Sequence, residues 1–80
     1  MDIQSLRYFI ELARYQNFSA AATSLHLSQP ALSKSIAELE RELGQELVIR
    51  SRPIRLTLAG KYVLAHASDI CDSYERMTGS

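Results

Sequence analysis

One stretch, residues 19–44, constrains the fold of this chain more than any other. It reads SAAATSLHLSQPALSKSIAELERELG. Its spacing of apolar residues predicts a short helix over residues 20–25, a tight turn at residues 26–27 and a longer helix over residues 28–43. Two helices joined by so short a turn are typical of a helix-turn-helix unit.

Residues at the predicted helix ends support these bounds. Ser19 and Ser28 each precede a helical run, and a serine side chain can accept a hydrogen bond from a free N–H of the first turn. Pro30 falls in the first turn of the longer helix, where a missing N–H costs little. Gly44 suits the left-handed conformation that often ends a helix.

The longer helix has two distinct faces. At 100° per residue, one apolar set clusters within about 40° and is expected in the core. The opposite face carries small, polar and basic side chains, which would allow close approach to another molecule. The core set is Leu32, Ile36, Leu39 and Leu43, and the opposite face holds Pro30, Lys34, Ala37 and Arg41, with Ser33 at its edge.

The residues before this stretch predict a first helix from Asp2 to Tyr15, with Asp2 as its cap. The pair Gln16-Asn17 is expected to end it, because asparagine tolerates the left-handed conformation. The stripe that this helix would bury contains Ile3, Leu6, Ile10 and Ala13, with Phe9 beside it.

Two short β-prone runs and a final helix follow. Residues 47–49 and 54–56 predict a two-stranded wing around a turn at residues 51–53. Thr57 is expected to cap a fourth helix that runs to about Arg76, with residues 78–80 frayed.

The apolar stripe of the fourth helix is wider than one small domain needs. We therefore expect it to pack against a second copy of the chain, forming a homodimer. The stripe consists of Val63, Ala67, Ile70, Tyr74 and Met77.

The distribution of charge is more informative than its sum. The chain has 80 residues, which suits one small domain, and its formal net charge is zero. Residues 47–68 nevertheless contain no acid and form a local basic patch. The cations of that patch are Arg50, Arg52, Arg55 and Lys61.

Several classes of protein are not expected. The sequence shows no secretory signal, no membrane-length apolar run, no nucleophile–base set and no phosphate-binding glycine loop, so we predict neither an enzyme nor a membrane protein. A lone Cys71 fits a reducing cytoplasm. His66, Asp69 and Cys71 are poorly spaced for a metal site, and no metal or other cofactor is expected.

Taken together, the motifs closely resemble the N-terminal DNA-binding domain of the LysR-type transcriptional regulators. The resemblance covers nearly the whole chain. The Ser28–Ser33 block and the Leu56–Gly60 signature are its most specific parts. The matching residues are Leu6–Phe9, Phe18–Ala22, Leu27–Ser33, Ile36, Leu39, Glu40, Leu43, Gly44, Leu47, Arg50, Arg55–Thr57, Ala59 and Gly60.

The resemblance implies a mainly α winged helix-turn-helix, with a three-helix core, a two-stranded wing and a long linker helix that pairs two subunits. It implies sequence-specific binding of double-stranded operator DNA at an interrupted palindrome. Residues 1–57 would form the DNA-binding domain and residues 58–80 the linker helix. An effector-binding domain would follow in a longer regulator, which is expected to be cytoplasmic and nucleoid-associated and could form tetramers.

The expected DNA contacts follow from the exposed face, the basic patch and the resemblance. An amide such as that of Gln29 can pair bidentately with adenine, and Arg52 is expected at phosphate or in the minor groove. Arg50 could instead pair with a glutamate of the third helix. The expected contacts are Ser28, Gln29, Pro30, Ser33, Lys34, Arg50, Arg52 and Arg55.

This chain departs from the family pattern at three places. Val48 stands where phenylalanine is usual, which predicts a smaller core under the wing. Lys34 stands where arginine is common, and lysine lacks the bidentate fork of arginine. The wing between Arg52 and Ile54 is one residue shorter than usual.

Two other functions remain open from the sequence. The zero net charge would fit a winged helix used for protein–protein contact. A small-ligand or metal sensor would need a pocket lined by the fourth helix.

Overall fold

Helices and two short strands follow the predicted order. The computed structural model describes residues 1–79, and it is a winged helix-turn-helix followed by a long helix, as predicted. The elements are α1 (Ile3–Tyr15), α2 (Phe18–Ser24), α3 (Gln29–Leu43), β1 (Val48–Ile49), β2 (Arg55–Leu56) and α4 (Leu58–Thr78).

Polar side chains begin three of the four helices as predicted. The Asp2 carboxylate accepts from the Ser5 N–H at 2.8 Å, and this hydrogen bond lowers the pKa of Asp2. The Ser28 hydroxyl accepts from the Ala31 N–H at 3.2 Å. These caps satisfy N–H groups that have no partner inside the helix.

The start of α2 differs from the prediction. Ser19 does not cap this helix; its cap is Asn17, whose side chain accepts from the Ala20 N–H at 2.8 Å. The helix therefore starts earlier, at Phe18. Gln16, with φ of 55°, takes the left-handed conformation that was expected of Asn17. Asn17 cannot do so because it has the extended backbone of a helix cap.

The main core lies where α1, α2 and α3 meet. The largest side chains that it excludes from solvent are Phe9, Leu12, Leu32, Ile36, Leu39 and Leu47. Ala21 and Ala22 are buried as well, and their small size allows the helices to approach closely.

Two details of the predicted core are wrong. Leu12 is fully buried although the predicted stripe omitted it, whereas Ile3, Ile10 and Ala13 are only half-buried. Leu43 is 36% exposed, because it is the last residue of α3 and the chain leaves the helix at the next residue.

The wing is an antiparallel pair in which Val48 lies opposite Leu56 and Ile49 opposite Arg55. Such short strands need additional attachments. The Ile54 N–H donates to the Gln16 carbonyl at 2.9 Å and thereby fastens the wing to the connection between α1 and α2.

The last helix packs along α1. A second, smaller cluster joins Leu6 to Ala67 and Cys71. Helix α4 extends to Thr78, two residues beyond the predicted end, and Gly79 ends it in the left-handed conformation. The part of the fraying prediction that concerns Ser80 lies outside the described residues. Among residues 1–79, none of the helices has the length and apolar character that crossing a bilayer requires.

Candidate nucleic-acid interface

An open groove lies between the first turns of α3, the connection from α1 to α2, and the wing. It encloses about 580 Å³ and has no acidic residue in its lining. Four of the eight predicted contact residues line it: Gln29, Ser33, Arg50 and Arg52. The fold therefore brings two side chains of the helix next to two of the wing cations.

Gln29 is held by a residue of the preceding helix. The Ser19 hydroxyl donates to Gln29 Oε1 at 2.9 Å, and both residues are exposed. This contact requires the close approach of α2 to α3, which the buried Ala21 and Ala22 permit. The carboxamide of Gln29 thus has a fixed partner within the protein.

Arg50 lies across the groove floor and contacts three residues. Its Nη1 donates to Ser33 Oγ at 2.9 Å, and its guanidinium lies 4.7 Å from the centre of the Phe18 ring. It also pairs with Glu40 at 3.7 Å, which was the alternative left open from the sequence. Arg50 therefore joins the wing to α2 and α3 and is partly neutralised.

Glu40 fixes the start of the wing. Its Oε2 accepts from the Leu47 N–H at 2.7 Å and from the Val48 N–H at 3.3 Å, while Oε1 faces Arg50. Charged acceptors make stronger hydrogen bonds than neutral ones. One carboxylate thus supports both the backbone of β1 and the guanidinium beside it.

Arg52 lies at the tip of the wing, next to a cis peptide bond to Pro53. The turn is closed by the Ser51 hydroxyl, which donates to the Pro53 carbonyl at 2.8 Å. Arg52 is exposed and makes no ion pair within residues 1–79. Its charge is therefore available to another molecule.

The other four predicted contact residues do not line the groove. Ser28, Pro30 and Lys34 are exposed on the first turns of α3, beside the groove. Arg55 is exposed on β2, opposite Ile49. Half of the predicted contact residues therefore line the groove, and the other half are exposed on the surface outside it.

Sequence reasoning missed three residues that organise this surface: Phe18, Ser19 and Glu40. Ser19 was interpreted as a helix cap, and Glu40 was named only among the residues that match the family. The Ser19–Gln29 contact spans ten residues and the Glu40–Leu47 contact seven, so no helical periodicity reveals them. The available signals were the match of all three residues to the family pattern and the possible pairing of Arg50 with a glutamate of the third helix.

A second exposed surface lies on α4, which we call the α4 apolar face: Leu58, Tyr62, Ile70, Tyr74 and Met77. Leu58 is 86% exposed and Met77 79% exposed. The Tyr62 and His66 rings lie 4.4 Å apart on the same helix. Large apolar side chains exposed in this number often mark an interaction surface.

Ala67, one of the predicted dimer residues, is buried and does not belong to the α4 apolar face. Ala67 is 1% exposed because it packs against Leu6 of α1, and it is unavailable to a second chain. Val63 is half-buried against the main core. Among residues 1–79, no group of three or more His, Cys, Asp or Glu side chains could hold a metal ion.

Comparison with known families gives one match over most of the chain. Residues 3–61 match the model of the family described as bacterial regulatory helix-turn-helix protein, lysR family. The matched range contains α1, α2, α3, the wing and the first turn of α4.

Curated relatives extend the similarity along the chain. The HTH-type transcriptional regulator CatR of Pseudomonas putida is 52% identical over 62 residues, which are 78% of this chain and 22% of CatR. A probable cat1 operon transcriptional activator of Acinetobacter lwoffii is 44% identical over 78 residues, covering 96% of this chain and 26% of that protein. The chain thus spans about a quarter of the length of these relatives.

Solved structures share the whole described fold. BenM_DBD in complex with catB site 1 DNA superposes with a TM-score of 0.95 at 36% identity, covering 99% of this chain and 90% of that one. CbnR_DBD in its DNA complex superposes with a TM-score of 0.94 at 39% identity, and the match covers 99% of this chain and 92% of that one. Full-length CbnR, described as a LysR family transcriptional regulator, superposes with a TM-score of 0.94, and this chain covers 28% of its length.

Proposed function

The chain belongs to the LysR family of bacterial regulatory helix-turn-helix proteins, and we propose that it binds an interrupted palindromic operator as a dimer. Its matched relatives are transcriptional regulators and not enzymes, in agreement with the sequence prediction. Each α3 would enter a major groove of the DNA, with the wing on the flanking backbone or minor groove.

One observation carries this proposal most directly. The first turns of α3 and the wing tip face the same open groove, whose lining contains no acid. A helix with small side chains at its start can lie deep in the major groove, and a neighbouring cation can then reach phosphate. The solved DNA complexes of BenM_DBD and CbnR_DBD, which have this fold, support the same conclusion.

The proposed contacts differ in role. Gln29 and Ser33 would meet base edges, with Pro30 against a thymine methyl group and Lys34 near base or phosphate. Ser28 and Arg55 would contact backbone. Arg52 would reach phosphate or the minor groove, since it is exposed and unpaired among the described residues.

Arg50 has a weaker claim to direct DNA contact than Arg52. Its guanidinium already pairs with Glu40 and donates to Ser33. Its contribution to DNA binding would therefore come mainly through the shape of the groove.

The zero net charge of the chain does not oppose this function. Phosphate neutralisation depends on cations at the interface, not on the total charge. A winged helix used for protein contact would also tolerate a neutral charge, and the experiment below separates the two functions.

We further propose that residues 1–57 act as the DNA-binding unit and residues 58–80 as the dimer arm. Helix α4 would bring two copies together through the α4 apolar face and so fix the spacing of half-sites, at about one helical turn or a multiple of it. A small-molecule effector, and assembly into tetramers, would depend on parts of the relatives that this chain does not match.

The function is tested by the salt dependence of DNA binding in two arginine variants. Arg52→Ala should weaken binding to all DNA sequences alike. It should also reduce the slope of log affinity against log salt concentration by about 0.9, the value for one phosphate contact. The matched control is Arg76→Ala, which removes an arginine near the end of α4. Fluorescence anisotropy across a salt series gives both slopes. Equal slopes for the two variants would remove Arg52 from the proposed contacts, and binding without any salt dependence would favour the protein-contact alternative.

A further inference from the structure

Two side chains proposed to meet base edges are each held through an acceptor oxygen. Gln29 Oε1 accepts from Ser19 of α2, and Ser33 Oγ accepts from Arg50 beyond β1. In both cases the holding residue lies outside α3. These contacts bear on which hydrogen-bonding groups α3 presents to DNA.

The contact at Gln29 restricts its carboxamide. An amide side chain reads adenine by offering its oxygen and its nitrogen together. Here the oxygen receives the Ser19 proton at 2.9 Å, and the amide nitrogen makes no hydrogen bond to residues 1–79. Because the bond to Ser19 fixes the amide plane, α2 and not the base decides which atom points outward. The nitrogen keeps both of its protons for another molecule, whereas one of the two lone pairs of the oxygen is already occupied.

The contact at Ser33 acts in the same direction. A hydroxyl has one proton to donate and two lone pairs. Arg50 occupies a lone pair at 2.9 Å, and an arginine can only donate, so it cannot reverse this bond. Glu40 and the Phe18 ring hold the guanidinium in place. The Ser33 proton is therefore left for an acceptor on another molecule.

We infer that Ser19 and Arg50 are positioning residues that preset the start of α3 as a hydrogen-bond donor surface. Resting on the proposed DNA-binding function, this inference names the bases that the surface fits. Guanine presents two acceptors in the major groove, N7 and O6, and thymine presents O4, whereas adenine presents its N7 acceptor beside an N6 donor that would compete with Ser19 for the Gln29 oxygen. The base met by Gln29 is accordingly guanine or thymine, which revises the expectation of a bidentate adenine contact.

The test is selection of binding sites from duplexes with a randomised half-site. The position that loses its base preference in Gln29→Ala identifies the contact of Gln29. At that position the unmodified chain should select guanine or thymine over adenine by about tenfold, the order expected for one good base contact. Ser19→Ala should reduce that preference several-fold, because the amide can then turn. Ser19→Thr, which keeps the hydroxyl, should retain it.

A matched control is available on the same helix. The Ser24 hydroxyl donates to Glu11 at 2.6 Å and does not line the groove. Ser24→Ala thus removes a comparable hydrogen bond and should leave the selected sequences unchanged. Melting temperatures of both alanine variants separate a change of base preference from a loss of fold.

The outcomes distinguish this inference from the function on which it rests. Adenine at the Gln29 position, or the same preferences in Ser19→Ala and the unmodified chain, would overturn the inference while DNA binding stands. Absence of salt-dependent binding by the folded, unmodified chain would overturn the proposed function and the inference with it.

Discussion

Thr57 and Gly60 give a physical reason for the Leu-Thr-x-Ala-Gly signature at residues 56–60. The Thr57 hydroxyl donates to the Glu46 carbonyl at 2.6 Å and accepts from the Gly60 N–H at 2.9 Å. The Thr57 N–H donates to the Leu47 carbonyl at 3.0 Å. These bonds join the start of α4 to the chain that leads into β1.

The absence of a side chain at Gly60 allows this approach. A Cβ atom there would lie 2.0 Å from the Leu47 carbonyl oxygen. That oxygen is backbone and already accepts from Thr57, so it cannot move away without breaking a bond. Steric contact, and not a positive φ, therefore requires glycine at this position.

We expect Gly60→Ala to lower the free energy of unfolding by about 1–3 kcal/mol, the cost of overpacking a core. Lys61→Ala, at the exposed neighbouring position, should change stability by less than about 0.5 kcal/mol. Urea unfolding followed by circular dichroism measures both. Equal stability of the two variants would contradict the close approach of α4 to Leu47.

At the residue scale the sequence predicted groups that act within one turn of helix. Ser28 and Thr57 cap their helices as expected, because a cap contacts a residue three positions away. The role of Ser19 depends on a contact ten residues away. Such a contact follows from how α2 crosses α3, which no local pattern specifies.

Among the elements, the wing is the one that depends most on its attachments. Its strands have two residues each, too few to be stable alone. The Leu47 and Val48 N–H groups both donate to Glu40. The position of the wing beside α3 is therefore set by a side chain of α3 itself.

Glu40→Ala should loosen the wing, since it leaves two N–H groups without their acceptor at a cost of about 1–3 kcal/mol each. Hydrogen exchange at Leu47 and Val48 should accelerate by an order of magnitude or more, while exchange in the centre of α1 changes less. Glu38→Ala, an exposed acid on the same helix, is the control. Unchanged exchange at both amides would show that the wing does not depend on Glu40.

The elements themselves were largely predictable. Apolar periodicity and turn residues gave all four helices and both strands, because these signals are local. The predicted start of α2 was wrong because two candidate caps, Asn17 and Ser19, lie close together in the sequence. Tertiary contact decided between them, since the Ser19 hydroxyl is engaged by Gln29.

At the scale of the whole molecule, the long fourth helix leaves much apolar surface uncovered. The α4 apolar face is exposed, although the Tyr74 ring lies 5.7 Å from the Arg7 guanidinium of α1, whereas Ala67 and Cys71 are buried against α1. The sequence predicted a dimer surface but assigned Ala67 to it. One side of the wide stripe packs on α1 and the other side is exposed, and the sequence alone does not distinguish the two sides.

Ile70→Asp should weaken dimerisation, because it would place a charge within the α4 apolar face. We expect the dimer dissociation constant to rise by tenfold or more in sedimentation equilibrium. Asp72→Ala also changes the charge by one unit, at an exposed position of the same helix about 160° around the axis from Ile70, and should have little effect. An equal effect of the two variants would argue against a dimer through this face.

The central claim is that α3 and the wing of a neutral chain bind DNA. Its most direct test is fluorescence anisotropy of the unmodified chain on a mixed-sequence duplex at two salt concentrations. The account predicts a binding curve whose affinity falls steeply as salt rises, since Lys and Arg contacts release counterions from phosphate. A flat trace at low salt, from protein shown to be folded and dimeric, would contradict it.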